Sequence, residues 1–213
     1  MGRGHGSGRG ASAKAGGFQG DSSMRGMSAG LAKALLEREE QIRYEVKNER
    51  NSIFDENGNE LFRNDRGGRT GASLGKDRTI IENNIITHSH PKYDKRGNVR
   101  SDGGGSLSPG DVEAALLNNA REIRAVTERY TYSLKRPKSG WHNETVIAGR
   151  VFRDTQSYAG ISNRVRAARQ KYIDNYKGDK EVARRRSFAV IEHQVMKAFA
   201  KAEGYEYTKT KVH

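Results

Sequence analysis

The segment SPGDVEAALLNNAREI, Ser108 to Ile123, constrains the fold more tightly than any other stretch of the chain. Ser108 is a good N-cap, Pro109 suits the first helical position and Asp111 stands where a capping acid belongs, so a helix starts here. Val112, Ala115, Leu116 and Ala120 give that helix an apolar face. Just upstream, Ile85 and Ile86 in NNIIT form a short buried strand that delivers His88 at its end. Just downstream, EIRAVTERYTYSLKRP is rich in β-formers, with Tyr130, Tyr132 and Leu134 alternating before Pro137 closes the run. A one-faced helix between extended segments needs a sheet to pack on, so the expected class is α+β, a mixed curved sheet flanked by helices.

The rest of the chain adds elements to that frame. SAGLAKALLEREEQIRYE is helical, with Leu31, Ala34, Leu35 and Ile42 on one face, charged residues on the other, and an end near Arg43 or Glu45. NSIFDENGNELFR reads as a hairpin in which Asn57 and Gly58 make the tight turn between Ile53-Phe54 and Leu61-Phe62. NDRGGRTGASLGKD is a loop with no preferred conformation. Beyond Trp141, helices are expected around Asn163 to Tyr176 and Asp179 to Lys201, the second with Phe188, Ile191, Val195 and Phe199 inward and Gly204 as its stop. YEYTKTKV adds an edge strand. Residues 1–30, rich in Gly and Ser with scattered Arg, read as a flexible basic arm, followed by a domain over 31–140 and a helical extension over 141–213 that packs on it.

Composition narrows the partners. The formal charge of +13 and a pI near 10.0 draw the chain toward polyanions, through either a solvated basic surface or a nucleic-acid contact of the arm. The run ARRRS, Ala183 to Ser187, has the same two readings. Without cysteine there is no disulfide, no thiolate nucleophile and no cysteine-ligated zinc. No apolar run approaches the roughly 20 residues that cross a bilayer, and the start lacks the apolar core of a secretory signal. A cytoplasmic location without membrane contact is expected.

THSHP, Thr87 to Pro91, places His88 and His90 one residue apart on an extended segment, where side chains of that spacing share a face. The pair is either a surface coincidence or half of a metal site. Asp111 at the helix start would complete three ligands and leave a fourth position open, the pattern of catalytic zinc, but Ser108 and Asp111 also make an ordinary capping box.

IITHSHP, SLSPGDVEAAL and EIRAVT together resemble the JAMM/MPN zinc metalloprotease signature in its RadC-like form. They are most similar to the JAB-type domains associated with phage head-morphogenesis proteins and bacterial toxins. The resemblance runs from about Glu45 to Pro137 and implies a JAMM fold, related to cytidine deaminases. It implies Zn2+ held by His88, His90 and Asp111, with Ser108 acting on the oxyanion. It also implies a glutamate base at the start of a neighbouring strand, for which Glu49 is the choice and Glu45 the second candidate. The implied function is hydrolysis of a peptide or isopeptide bond in a protein substrate, in a phage-infected bacterial host or in the virion. The alternative is a catalytically silent assembly module among phage structural proteins, with the basic arm on nucleic acid. The family places its serine closer to the second histidine, whereas here PKYDKRGNVRSDGGGSL intervenes, within which the insertion KYDKRGNVRSDGG reads as a flexible flap that would change substrate access.

Overall fold

Ser28 caps the first helix through its side chain, which accepts from the Leu31 N–H, and α1 runs Ala29–Arg43. Leu31, Ala32 and Leu35 pack with Met24, Phe54 and Ile85, so the fold already includes Met24 ahead of the expected boundary at residue 30. The computed structural model describes residues 24–45, 47–68, 71–92, 105–142, 167 and 170–212, with 109 and 184–191 by backbone alone. Most of the basic arm, the flap after His90, the expected helix start at Asn163 and the side chains of Arg184, Arg185, Arg186, Phe188 and Ile191 lie outside the described residues.

Six strands form one mixed sheet: β1 Asn51–Phe54, β2 Glu60–Asn64, β3 Ile85–Ser89, β4 Glu122–Val126, β5 Tyr130–Lys135 and β6 Glu206–Lys211. Their order is β2-β1-β3-β4-β5-β6. Among the described residues only β3 and β4 are parallel, joined through α2 (Pro109–Leu117), and every other strand pair is antiparallel. The connection from β1 to β2 departs from the expected two-residue turn. Asp55 organises a longer loop, accepting from the N–H groups of Asn57 and Asn59, and only Gly58 takes a positive φ there, at 90°. Ile80 and Ile81 sit in a 3-10 turn, Thr79–Ile81.

The two faces of the sheet differ in chemistry because side chains alternate along each strand. Ile53, Ile86, Ile123, Ala125, Tyr132 and Leu134 face α2 and the long helix α3 (Lys180–Glu203), which contribute Val112, Ala115, Leu116, Met196, Phe199 and Ala200 to one core. Val195, expected inward, is half-buried, and Met196 takes the buried place. The opposite face, under α1, carries Ser52, Thr87, Glu122, Arg124 and Ser133, all buried. α1 answers with Arg38, Glu39 and Arg43, so the helix buries charge where the sequence pattern placed it outward. Arg38 donates to Ser52 Oγ at 2.8 Å and Arg43 to the Thr127 carbonyl at 2.7 Å. Arg124, fully buried, is clamped between Glu39 and Glu122, and their carboxylates hold its guanidinium charged against the cost of burial.

Candidate metal centre

β3 ends in Thr87-His88-Ser89 with His90 just beyond it, and the extended geometry throws both imidazoles to the α2 side while Thr87 turns to α1. The backbone there is fixed from both neighbours: Ser89 N–H donates to the Arg50 carbonyl and His90 N–H to the Val126 carbonyl, each at 2.8 Å. The parallel crossover then brings the first turn of α2 over the strand end. His88 and His90 are buried, with Asp111 beside them.

The ligand atoms of these three residues all lie within 4.8 Å of one another. His88 Nε2 is 2.9 Å from His90 Nε2, and the two nitrogens stand 3.3 and 3.4 Å from Asp111 Oδ1 and Oδ2. Donors arranged tetrahedrally around one zinc at about 2.0–2.1 Å are about 3.3 Å apart, so this cluster fits a single small cation. The donor chemistry fits as well. His90 Nδ1 meets the Gly105 carbonyl at 2.9 Å, which favours the tautomer whose Nε2 lone pair points at the cluster. Burial alone would pull the His90 pKa down, but the hydrogen bond and charge of Asp111, the charge of Glu49 and the Gly105 carbonyl raise it to about 9. Asp111 is likewise penalised by burial, yet His88 and His90 hold its carboxyl well below the usual range. The cluster is thus a preorganised place for positive charge.

The capping box and the approach of Asp111 to the histidines are compatible. Ser108 N–H donates to Asp111 Oδ2 at 2.6 Å and Asp111 N–H to Ser108 Oγ at 3.3 Å, a complete capping box, while the same carboxylate faces both histidines. Ser108 therefore sits directly behind the carboxylate that faces both histidines. Glu49 is half-buried two residues before β1, and its N–H donates to the Gly68 carbonyl at 2.8 Å. Glu45 is tied elsewhere, in an ion pair with Arg50 at 2.5 Å.

Several residues around the centre escaped the sequence reading. Gly67 packs so closely on Glu49 that an added Cβ would stand 2.0 Å from the Glu49 carbonyl oxygen, and the Gly-Gly pair was the visible signal. Asn51, paired with His88 across the strands, donates to the Ala72 and Ser73 carbonyls, while its buried Oδ1 has no hydrogen-bond partner among the described residues. Behind Gly105, Ser106 Oγ and His193 Nδ1 both meet the Tyr207 hydroxyl, at 2.7 and 2.8 Å, which latches the segment entering α2 to α3 and β6. Burial, with the charges of Lys209 and Lys197, lowers the His193 pKa to about 4, so that it serves this latch as a neutral ring.

No helix among the described residues is long and apolar enough to cross a membrane. The chain matches no protein-family model, and neither a curated protein nor a solved structure is significantly similar to it.

Proposed function

We propose that this chain is a zinc-dependent hydrolase of an amide bond, in a peptide or an isopeptide, built on a JAMM-like plan. The observation that carries the reading is the convergence of His88, His90 and Asp111 on one point at a strand end, with a carbonyl behind His90. Three protein ligands leave a position open, as catalytic rather than structural zinc sites do. When bound, the metal supplies Lewis acidity and a nucleophile at neutral pH.

The other steps fall to the chain itself. Glu49 acts as general base, taking a proton from the attacking water and passing it to the leaving amine. Its support is that its charge bears on His90, whereas Glu45 is committed to Arg50. Ser108 Oγ accepts from Asp111 N–H, a bond that leaves the hydroxyl proton available to the oxyanion as charge develops.

Protein purified without chelator should carry about one zinc per chain, lost in His88→Ala/His90→Ala. Glu49→Gln should keep the zinc and lose about 100-fold or more in hydrolysis, read by mass spectrometry on bacterial and phage proteins. A wild-type chain that binds no metal sinks the proposal. If Glu45→Gln abolishes turnover and Glu49→Gln does not, the base is reassigned. A zinc-loaded chain indifferent to both would be a silent assembly module.

A further inference from the structure

The sheet has a second end, where β3 and β4 begin and β5 finishes, with the start of β3 three residues from His88 and five from His90. At about 3.3 Å per residue, that end is roughly 10–16 Å from the two histidines. An open cleft of about 490 Å³ lies there, and among the described residues its lining includes Arg121, Arg136 and Lys138 but no carboxylate. Arg136 is fixed rather than mobile. Its Nη1 donates to the Asn119 carbonyl and side-chain oxygens at 2.9 and 2.6 Å, and its Nη2 to Asn83 Oδ1 at 2.6 Å. Those partners are all neutral, so they orient the guanidinium without cancelling its charge. The nearest acid in this network, Glu82, accepts from the far side of Asn119 at 3.2 Å.

Two further features bear on the cleft. Asn83 and Asn119 both take left-handed backbone conformations, φ 61° and 51°, and are joined by Asn83 N–H donating to the Asn119 carbonyl at 3.0 Å. Asn119 takes its conformation in closing α2, where Ala120 N–H reaches back to the Ala115 carbonyl at 2.9 Å, so the two turns set the oxygens that hold Arg136. The N-terminal segment also joins the fold at this end, where Lys135, the residue before Arg136, donates to the Arg25 carbonyl at 3.1 Å. The sequence preceding that junction carries Arg3, Arg9 and Lys14 against Asp21 alone.

We propose that this cleft binds the phosphate backbone of a nucleic-acid strand, with Arg136 as the preset contact and Arg121 and Lys138 flanking it. The planar guanidinium fork matches phosphate oxygens, and an open cleft suits a strand passing through better than a single enclosed anion. A polyanion also gains more from the overall charge of +13 than an isolated phosphate does, because each phosphate it places near the surface releases condensed counterions. The inference is independent of the zinc reading, because its residues and readout lie apart from that site.

The test is binding of a labelled oligonucleotide to the full chain over a salt series. Arg121→Gln/Lys138→Gln, which spares Arg136 and the turns it ties, should weaken binding roughly tenfold and flatten the log K against log salt slope by about 1.4 for a single strand. Lys76→Gln/Lys177→Gln removes the same charge from exposed positions outside the cleft and should change the slope little. The proposal is overturned if both pairs lose equally, or if inorganic phosphate or polyglutamate competes as well as unlabelled strand. Should circular dichroism show the double variant unfolded, Lys138→Gln alone decides the matter, with an expected slope change of about 0.7.

Discussion

Arg124→Met should unseat α1 from the sheet, and the cost follows from what the guanidinium touches. Its Nε lies 2.5 Å from Glu39 Oε1, its Nη2 donates to Glu39 Oε2 at 3.2 Å and its Nη1 to Glu122 Oε1 at 2.6 Å. The side chains of Arg124, Glu39 and Glu122 are 0%, 1% and 2% exposed, so water cannot replace those bonds. Charged hydrogen bonds are worth about 1.5–3 kcal/mol each, a gross loss of about 4.5–9 kcal/mol for the three. Methionine fills much of the same volume, and removing one side of a buried ion pair costs about 3–5 kcal/mol net. For a chain of this size that is a drop in melting temperature of roughly 6–20 °C. Thermal and urea unfolding followed by circular dichroism measure it directly. Ser133 and Thr87 also donate to the two carboxylates, at 2.6 and 3.2 Å, and neither hydroxyl can neutralise them. The triple variant Glu39→Gln/Glu122→Gln/Arg124→Met removes the stranded charge and should recover most of the loss. A single variant costing under about 1 kcal/mol, or a triple variant no better than the single, would refute the reasoning.

Two further outcomes concern the metal centre. Gly67→Ala would place a Cβ 2.0 Å from the Glu49 carbonyl oxygen and 2.6 Å from the Ala72 Cβ, so the Glu49 backbone must move by over an ångström. Misplacement on that scale costs about 100-fold in rate, and a variant with full zinc content but near-normal turnover would show that Glu49 is not so constrained. Because the His90 pKa is raised to about 9, a proton occupies the metal-free site at neutral pH. Zinc must displace it, so affinity should rise about tenfold per pH unit up to about pH 9 and then flatten. Metal-free stability runs the other way: the contribution from His90 is fully present below pH 6.5, its unfolded value, and is lost as pH rises through about 9. Calorimetry in buffers of different ionisation heat counts the released protons, and a flat affinity profile would contradict the assignment.

The strand and helix around the site were legible in the sequence because each signal there is local. Ser108, Pro109 and Asp111 specify a helix start whatever lies beyond it, and the β-branched Ile85 and Ile86 mark a short buried strand. What the residues alone could not decide was whether His88, His90 and Asp111 meet, since that depends on how the chain crosses between β3 and β4. The buried charges of α1 were hidden for a related reason. Arg38, Glu39 and Arg43 look like a solvated face until Ser52, Thr87 and Arg124 are seen to line the sheet below them. Glycine was misleading in the same way, since the loop that seemed conformationally indifferent contains Gly67 and Gly68, which fix the backbone of Glu49.

The parallel pairing of β3 and β4 ties the candidate metal centre to the topology of the fold. Two of the groups that could hold an ion belong to a strand end and the third to the helix that crosses from that strand to β4. A histidine pair on an unfolded chain offers two ligands, whereas the third becomes available only once the crossover is closed. Metal capture would then act as a late lock on topology: an ion that binds all three groups reports a completed crossover, and chelation would loosen first the turn that begins α2.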